Sequence, residues 1–181
     1  MKAAGILTYS SIYCSNTPVQ VAMSKSLSKV DTPGYKDGAS YVTSVCNEFQ
    51  EVRDLFLSEL KKVDLPMKAM SCESGYFLMA DVSQCKDMIP KRFTDSHDFE
   101  LGLAPGENGI TKNRYFMPDG RVPLDLAFCR WIAETRGVVM MPCSLFYHKT
   151  SVIKDDRYVR LAICKGKETS VKALQRLLRQ I

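Results

Sequence analysis

The chain has 181 residues, 45% of them hydrophobic and 25% charged, the composition of an ordinary globular chain long enough to bury a core without staples. Its formal net charge of +5 comes from 25 basic and 20 acidic side chains, and no basic run is interleaved with aromatics as a nucleic-acid groove requires. No apolar run reaches membrane-spanning length, and the opening MKAAGILTYSS is too weak for a signal or transit peptide.

The first predicted element follows the cluster Ser15-Asn16-Thr17-Pro18. Thr17 suits an N-cap and Pro18 the first helical position, so a helix of a few turns is expected up to about Lys29. Pro33, Gly34 and Gly38 mark a loop. From Ser40 to Val63, apolar Val42, Val45, Phe49, Val52, Phe56, Leu60 and Val63 recur at steps of three and four, one face of a long helix, which Pro66 closes. The short apolar run GYFLMADV, Gly75 to Val82, predicts a strand covered on both faces.

Residues 84–122 are rich in glycine and proline and predict a long loop or insertion. DLAFCRWIAETR then places Leu126, Phe128, Cys129, Trp131 and Ile132 at helical spacing, with Asp125 in the first turn and Gly137 after the end. GVVMMPCSLFY predicts a strand stopped by Pro142. RYVRLAICK alternates Val159, Leu161 and Ile163 against Tyr158, Arg160 and Ala162, a period-two strand. KETSVKALQRLLRQI predicts a closing helix capped by Thr169 or Ser170, with Val171, Leu174, Leu177 and Leu178 inward. The order predicts an α/β fold, an α+β sandwich in which helices cover a small mixed sheet.

Seven cysteines, an odd number with no C-x-x-C pair, predict free thiols in a reducing, intracellular compartment. His97 and His148 are not at ligand spacing to them, so no metal site is expected, and neither has a nucleophile partner in view.

Three segments together resemble the fold-type I pyridoxal-phosphate aminotransferases, in the branch of the kynurenine and glutamine transaminases and cysteine-conjugate β-lyases. They are SIYCSNTPVQVAM (Ser11 to Met23), GYFLMADVS (Gly75 to Ser83) and DLAFCRWIAETRGVVMMPCSLFY (Asp125 to Tyr147) with YVRLAICK (Tyr158 to Lys165) after it. Their order is the family's, and the resemblance covers nearly all of the chain except about 98–121, where the family is shorter. It implies that residues 1–38 are the remnant of a large, cofactor-binding domain and that 39–181 form the small C-terminal domain, with an insertion at about 98–121. It further implies that the chain begins after the family's cofactor-binding core, so that the Schiff-base lysine, the aspartate for the pyridine nitrogen and the phosphate-binding residues have no counterpart here. Met23-Ser24-Lys25-Ser26 superficially matches a cofactor lysine, but no Gly-Trp/Arg-x-Gly segment follows and Lys25 reads as a solvent-facing helix residue.

By the same resemblance Arg160 occupies the position of the arginine that grips a substrate's α-carboxylate, which its planar fork can hold through two parallel hydrogen bonds. The structural alternative is an ion pair with Asp81, Asp155 or Asp156. Tyr13 matches a family aromatic that leans into a neighbouring active site, or is a core aromatic. Ser144 and Tyr147 lie near a substrate entrance yet read more readily as packing residues, Asp81 as a strand-end turn and Trp131 as core.

Transamination needs an imine-forming amine and a charge partner for the pyridine ring. The expected function is therefore an aminotransferase-like pseudoenzyme, a non-catalytic accessory or structural subunit of a larger assembly. The alternative is one half of an active or split transaminase converting an amino acid to a 2-oxo acid. No cofactor is expected in this chain alone; pyridoxal phosphate would be present only where another chain supplies the lysine. The expected partner is a protein covering the missing large-domain half, and the compartment is mitochondrial or cytoplasmic.

Overall fold

The computed structural model describes residues 6, 16–95, 116–148, 151 and 153–179. Tyr13, His97, the start of the Ser11 to Met23 segment and most of the 98–121 insertion lie outside them. The chain forms two compact units, Met1–Glu48 and Phe49–Ile181.

In the first unit, helix α1 spans Thr17–Leu27. Its cap is Asn16, one residue before the expected Thr17, with the Asn16 side chain accepting from the Val19 N–H at 3.4 Å; asparagine outranks threonine at this position. No residue of α1 is buried, and Val19, Met23 and Leu27 are each about three-fifths exposed. In the loop that follows, Gly34 and Gly38 take positive φ, and the N–H groups of Gly34 and Tyr35 both donate to the Ala39 carbonyl. Helix α2, Tyr41–Glu59, begins here; the boundary between the units falls inside it.

In the second unit, Val52 and Phe56 of α2, then Leu60 of the 3-10 turn Leu60–Lys62 and Val63, are buried. The predicted stripe is thus real, but Val42 at its start is exposed. Strands β1 (Lys68–Ala69), β2 (Phe77–Asp81), β3 (Met141–Pro142) and β4 (Tyr158–Ala162) form one sheet in the order β1-β2-β4-β3. Every pairing is antiparallel, where a mixed sheet was expected. β2 was also expected to be covered on both faces. Instead Leu78 and Ala80 are buried while Phe77, Met79 and Asp81 face the other side, the alternation of an antiparallel strand with one open face.

Between β2 and the insertion lie a 3-10 segment, Ser83–Met88, and helix α3, Lys91–Thr94. Helix α4, Leu124–Arg136, ends at Gly137 with φ 64, the left-handed residue of a glycine-terminated helix. The predicted strand from Gly137 to its stop at Pro142 shrinks to β3, and a 3-10 turn over Cys143–Phe146 follows that stop. Helix α5 covers Lys167–Leu177 with Gly166 at its cap, earlier than the predicted Thr169 or Ser170. Ser170 is buried instead, its hydroxyl directed to the Lys165 carbonyl at 3.4 Å.

The core joins Leu78, Ala80, Val159 and Leu161 of the sheet to Phe128, Trp131 and Ile132 of α4 and Leu174 and Leu177 of α5. Each large side chain there contributes about 1.5–3 kcal/mol on burial. Arg136, at the end of α4, is buried; it pairs with Asp64 at 2.6 Å and donates through Nη1 to the Leu177 carbonyl at the end of α5. Among the described residues no helix is long and apolar enough to cross a membrane. No group of three or more His, Cys, Asp or Glu side chains among them is placed to hold a metal ion.

Candidate carboxylate-binding site

The register of the sheet decides what surrounds Arg160. Arg160 on β4 lies opposite Met79 on β2 and Met141 on β3. Val159 and Leu161 beside it point into the core, so period-two alternation sends Arg160 to the open face together with Phe77, Met79 and Met141. Phe77 is the diagonal neighbour on that face, within reach of a long side chain.

The guanidinium of Arg160 lies between two aromatic rings, its carbon 4.2 Å from the Phe77 centroid and 4.3 Å from that of Phe146. A cation over a ring face gains about 0.5–2 kcal/mol. Both rings thus flank the same cation. Its N–H groups find few partners: Nη2 meets the Met141 thioether at 2.9 Å, a weak acceptor, and Nε is buried with no hydrogen-bond partner among the described residues.

The structural ion pair considered for Arg160 does not form. Asp155 pairs with Arg157 at 2.8 Å, a hydrogen bond that holds its carboxyl below the usual range. Asp156 receives Arg121 at 2.5 Å and the Leu124 N–H at 2.7 Å. Asp81 accepts the Ser83 N–H at 2.8 Å, the strand-end turn that the sequence suggested. No carboxylate among the described residues neutralises Arg160.

A second cluster adjoins this one. Asp125, fully buried in the first turn of α4, accepts the Ser144 N–H on Oδ2 at 2.6 Å, and the Ser144 hydroxyl and Leu126 N–H on Oδ1, each at 2.8 Å. Burial pushes the Asp125 carboxyl up to about 6, against the lowering effect of the Ser144 and Leu126 hydrogen bonds. Burial also raises the thiols of Cys129 and Cys143; for Cys143 the Arg160 cation acts in the opposite sense. Ser144 is thus a buried anchor, as packing would have it, while Tyr147 is exposed. Trp131 is core, and Lys25 is exposed on α1.

Sequence reasoning singled out Arg160 but not the two rings beside it. Phe77 was hidden in a run read as doubly covered, and Phe146 in the loop expected after the Pro142 stop. The available signal was the spacing of Phe77 and Met79, which puts both on the face opposite Leu78.

No family model matches the chain. In sequence it is weakly homologous, over nearly its whole length, to the kynurenine–oxoglutarate transaminases. It is 24% identical over 180 residues to kynurenine–oxoglutarate transaminase 1 of Homo sapiens, covering 99% of this chain and 36% of that protein. Its fold matches Bna3p of Saccharomyces cerevisiae at a TM-score of 0.60, with 21% identity over 93% of this chain and 33% of that one. It also matches the aspartate aminotransferase of Rhizobium meliloti at 0.57, with 16% identity over 98% of this chain and 34% of that one. The chain spans about a third of the length of the curated relatives it matches, and its fold is that of about a third of an aminotransferase chain.

Proposed function

We propose that this chain is an aminotransferase-derived, carboxylate-binding subunit of a larger assembly, and that it does not perform transamination by itself. The observation that carries the reading is Arg160: a guanidinium within 4.3 Å of both the Phe77 and Phe146 ring centroids, with no carboxylate of the described residues paired with it. A half-buried cation without a counter-charge is costly. An arginine fork can take a carboxylate with two parallel hydrogen bonds.

Pyridoxal phosphate, which the family implies, supplies an electron sink once joined to an amine. The described residues do not fit it. An imine-forming lysine is kept out of water, whereas every described lysine except Lys154 is exposed, and the Lys154 ammonium donates to the Phe116 carbonyl at 3.1 Å. Arg160 binds and orients; no step through the cofactor is assigned to this chain. On this reading residues 1–38 belong to a cofactor-domain remnant, the remaining residues from 39 onward form the small domain, and the uncovered Val19, Met23 and Leu27 of α1 meet the partner that completes the fold.

A second reading, the carboxylate-binding part of a split and active transaminase, is favoured by the same open fork, since an arginine serving only the fold would be paired. Co-expression with a cofactor-bearing complement separates the two: 2-oxo acid production that disappears in Arg160→Ala supports the split enzyme. For the shared core of both readings, calorimetric titration with phenylacetate is the direct test. Saturable binding is expected for the wild type and its loss for Arg160→Ala, with little change in unfolding midpoint. Equal binding by both proteins overturns the assignment of Arg160. A borohydride-trapped cofactor on one of this chain's own lysines overturns the non-catalytic reading.

A further inference from the structure

The Asp125–Ser144 cluster and the Arg160 sandwich share one short piece of chain. Ser144 and Phe146 lie two residues apart on the 3-10 turn Cys143–Phe146. Ser144 is the buried end of that turn, held by hydrogen bonds of 2.6 and 2.8 Å to a fully buried carboxylate. Phe146 is the outer end, 60% exposed, and Arg160 is the cation that it covers. An exposed aromatic on so short a turn has little of its own to hold it in place. Two other restraints flank the turn: the antiparallel pairing of Pro142 with Val159 on one side, and the Tyr147 N–H to Ser144 carbonyl bond at 3.4 Å on the other. Of these, the Ser144 anchor alone supplies two short hydrogen bonds to a fully buried side chain.

Asp125 is itself held from behind. Its own N–H donates to the Asp156 carbonyl at 2.9 Å, and the Asp156 carboxylate takes the next-door Leu124 N–H. Asp156 closes the stretch that leads into β4, the strand carrying Arg160. One hydrogen-bonded path thus runs from the β4 entrance through the first turn of α4 to the turn bearing Phe146.

We propose that Asp125, acting through Ser144, is a positioning residue of the carboxylate site: it fixes Phe146 over Arg160 and so pre-orients the guanidinium fork. This rests on the reading of Arg160 as a carboxylate binder. The energetic logic is that of preorganisation. A flexible arginine must be immobilised when its ligand arrives, whereas one already flat between two rings binds with less entropy lost. Phe77 supplies one wall from the sheet itself. The other wall, Phe146, depends on the anchor.

The test uses a double-mutant cycle with two readouts. The first is the side-chain Nε–Hε resonance of Arg160 in arginine-labelled protein, assigned with Arg160→Lys; a ring stacked above it shifts that signal upfield. The second is phenylacetate affinity by calorimetry. Ser144→Ala and Phe146→Ala are each expected to move the resonance toward its unstacked position and to weaken binding about three- to tenfold, the worth of one cation–π contact. The double variant Ser144→Ala/Phe146→Ala is expected to bind no more weakly than Phe146→Ala alone, because the serine acts through the ring. Additive losses, or an Arg160 resonance unmoved by Ser144→Ala, overturn the proposal. Should wild type bind no phenylacetate, the functional reading of Arg160 falls, while the resonance shifts still decide whether the anchor sets Phe146.

Discussion

At the scale of single residues, Asp125 carries the clearest consequence. Its carboxyl lies near 6 because burial penalises the charge more than Ser144 and Leu126 relieve it. The native state therefore holds the Asp125 proton more tightly than the unfolded chain does. The linked stability increases as pH falls from about 6 toward the ordinary carboxylate range and is absent above it. Asp155, lowered by Arg157, works in the opposite sense at more acid pH, so a comparison within one variant pair is needed. Urea unfolding of wild type and Asp125→Asn from pH 4 to 7 is expected to show a wild-type gain on acidification, on the order of 2 kcal/mol relative to the variant. Parallel curves would contradict it. Asp125→Ala strands three donors, the Ser144 N–H and O–H and the Leu126 N–H, and is expected to cost about 2–4 kcal/mol at pH 7 by the same measurement.

Residues also show how far a sequence can be read. The place of Arg160 in an alternating apolar strand was legible, and a charged residue there needs a reason. Its partners were not, since Phe77 and Phe146 are 69 positions apart and meet only through a register that no local pattern specifies. Asp125 was legible as a first-turn acid and illegible as a tertiary anchor for the same reason.

At the scale of elements, helices were read well where one face is buried over several turns, as in α4 and the later part of α2. Strand β3 was expected from Gly137 to Pro142 and is only Met141–Pro142, while the expected stop at Pro142 is where a 3-10 turn begins. The junction of α4 and α5 makes a quantitative test. Arg136 ties Asp64 and the Leu177 carbonyl together from a buried position. Arg136→Ala is expected to lower stability by about 3 kcal/mol, measured by urea midpoint, since it removes the side-chain donor to the Leu177 carbonyl and the partner of Asp64. Asp64→Asn, at a site 37% exposed, is expected to cost clearly less. A larger loss from Asp64→Asn than from Arg136→Ala would mean that the carbonyl contact contributes nothing. Gly137→Ala is expected to cost about 1 kcal/mol from its positive φ alone, since an added methyl meets Arg176 only at 3.5 Å.

At the scale of the whole molecule, the chain spans about a third of its curated relatives and leaves α1 without a buried residue. The completing partner is a proposal that α1 tests: Val19→Asp and Met23→Asp are expected to abolish association without shifting the unfolding midpoint of the Phe49–Ile181 unit. The central claim, though, is the open fork of Arg160. A crystal structure of the chain soaked with phenylacetate addresses it most directly. The account predicts a carboxylate held by two hydrogen bonds on the Arg160 guanidinium, between the rings of Phe77 and Phe146. A guanidinium already paired with an acid of its own chain, with no ligand beside it, would contradict the account.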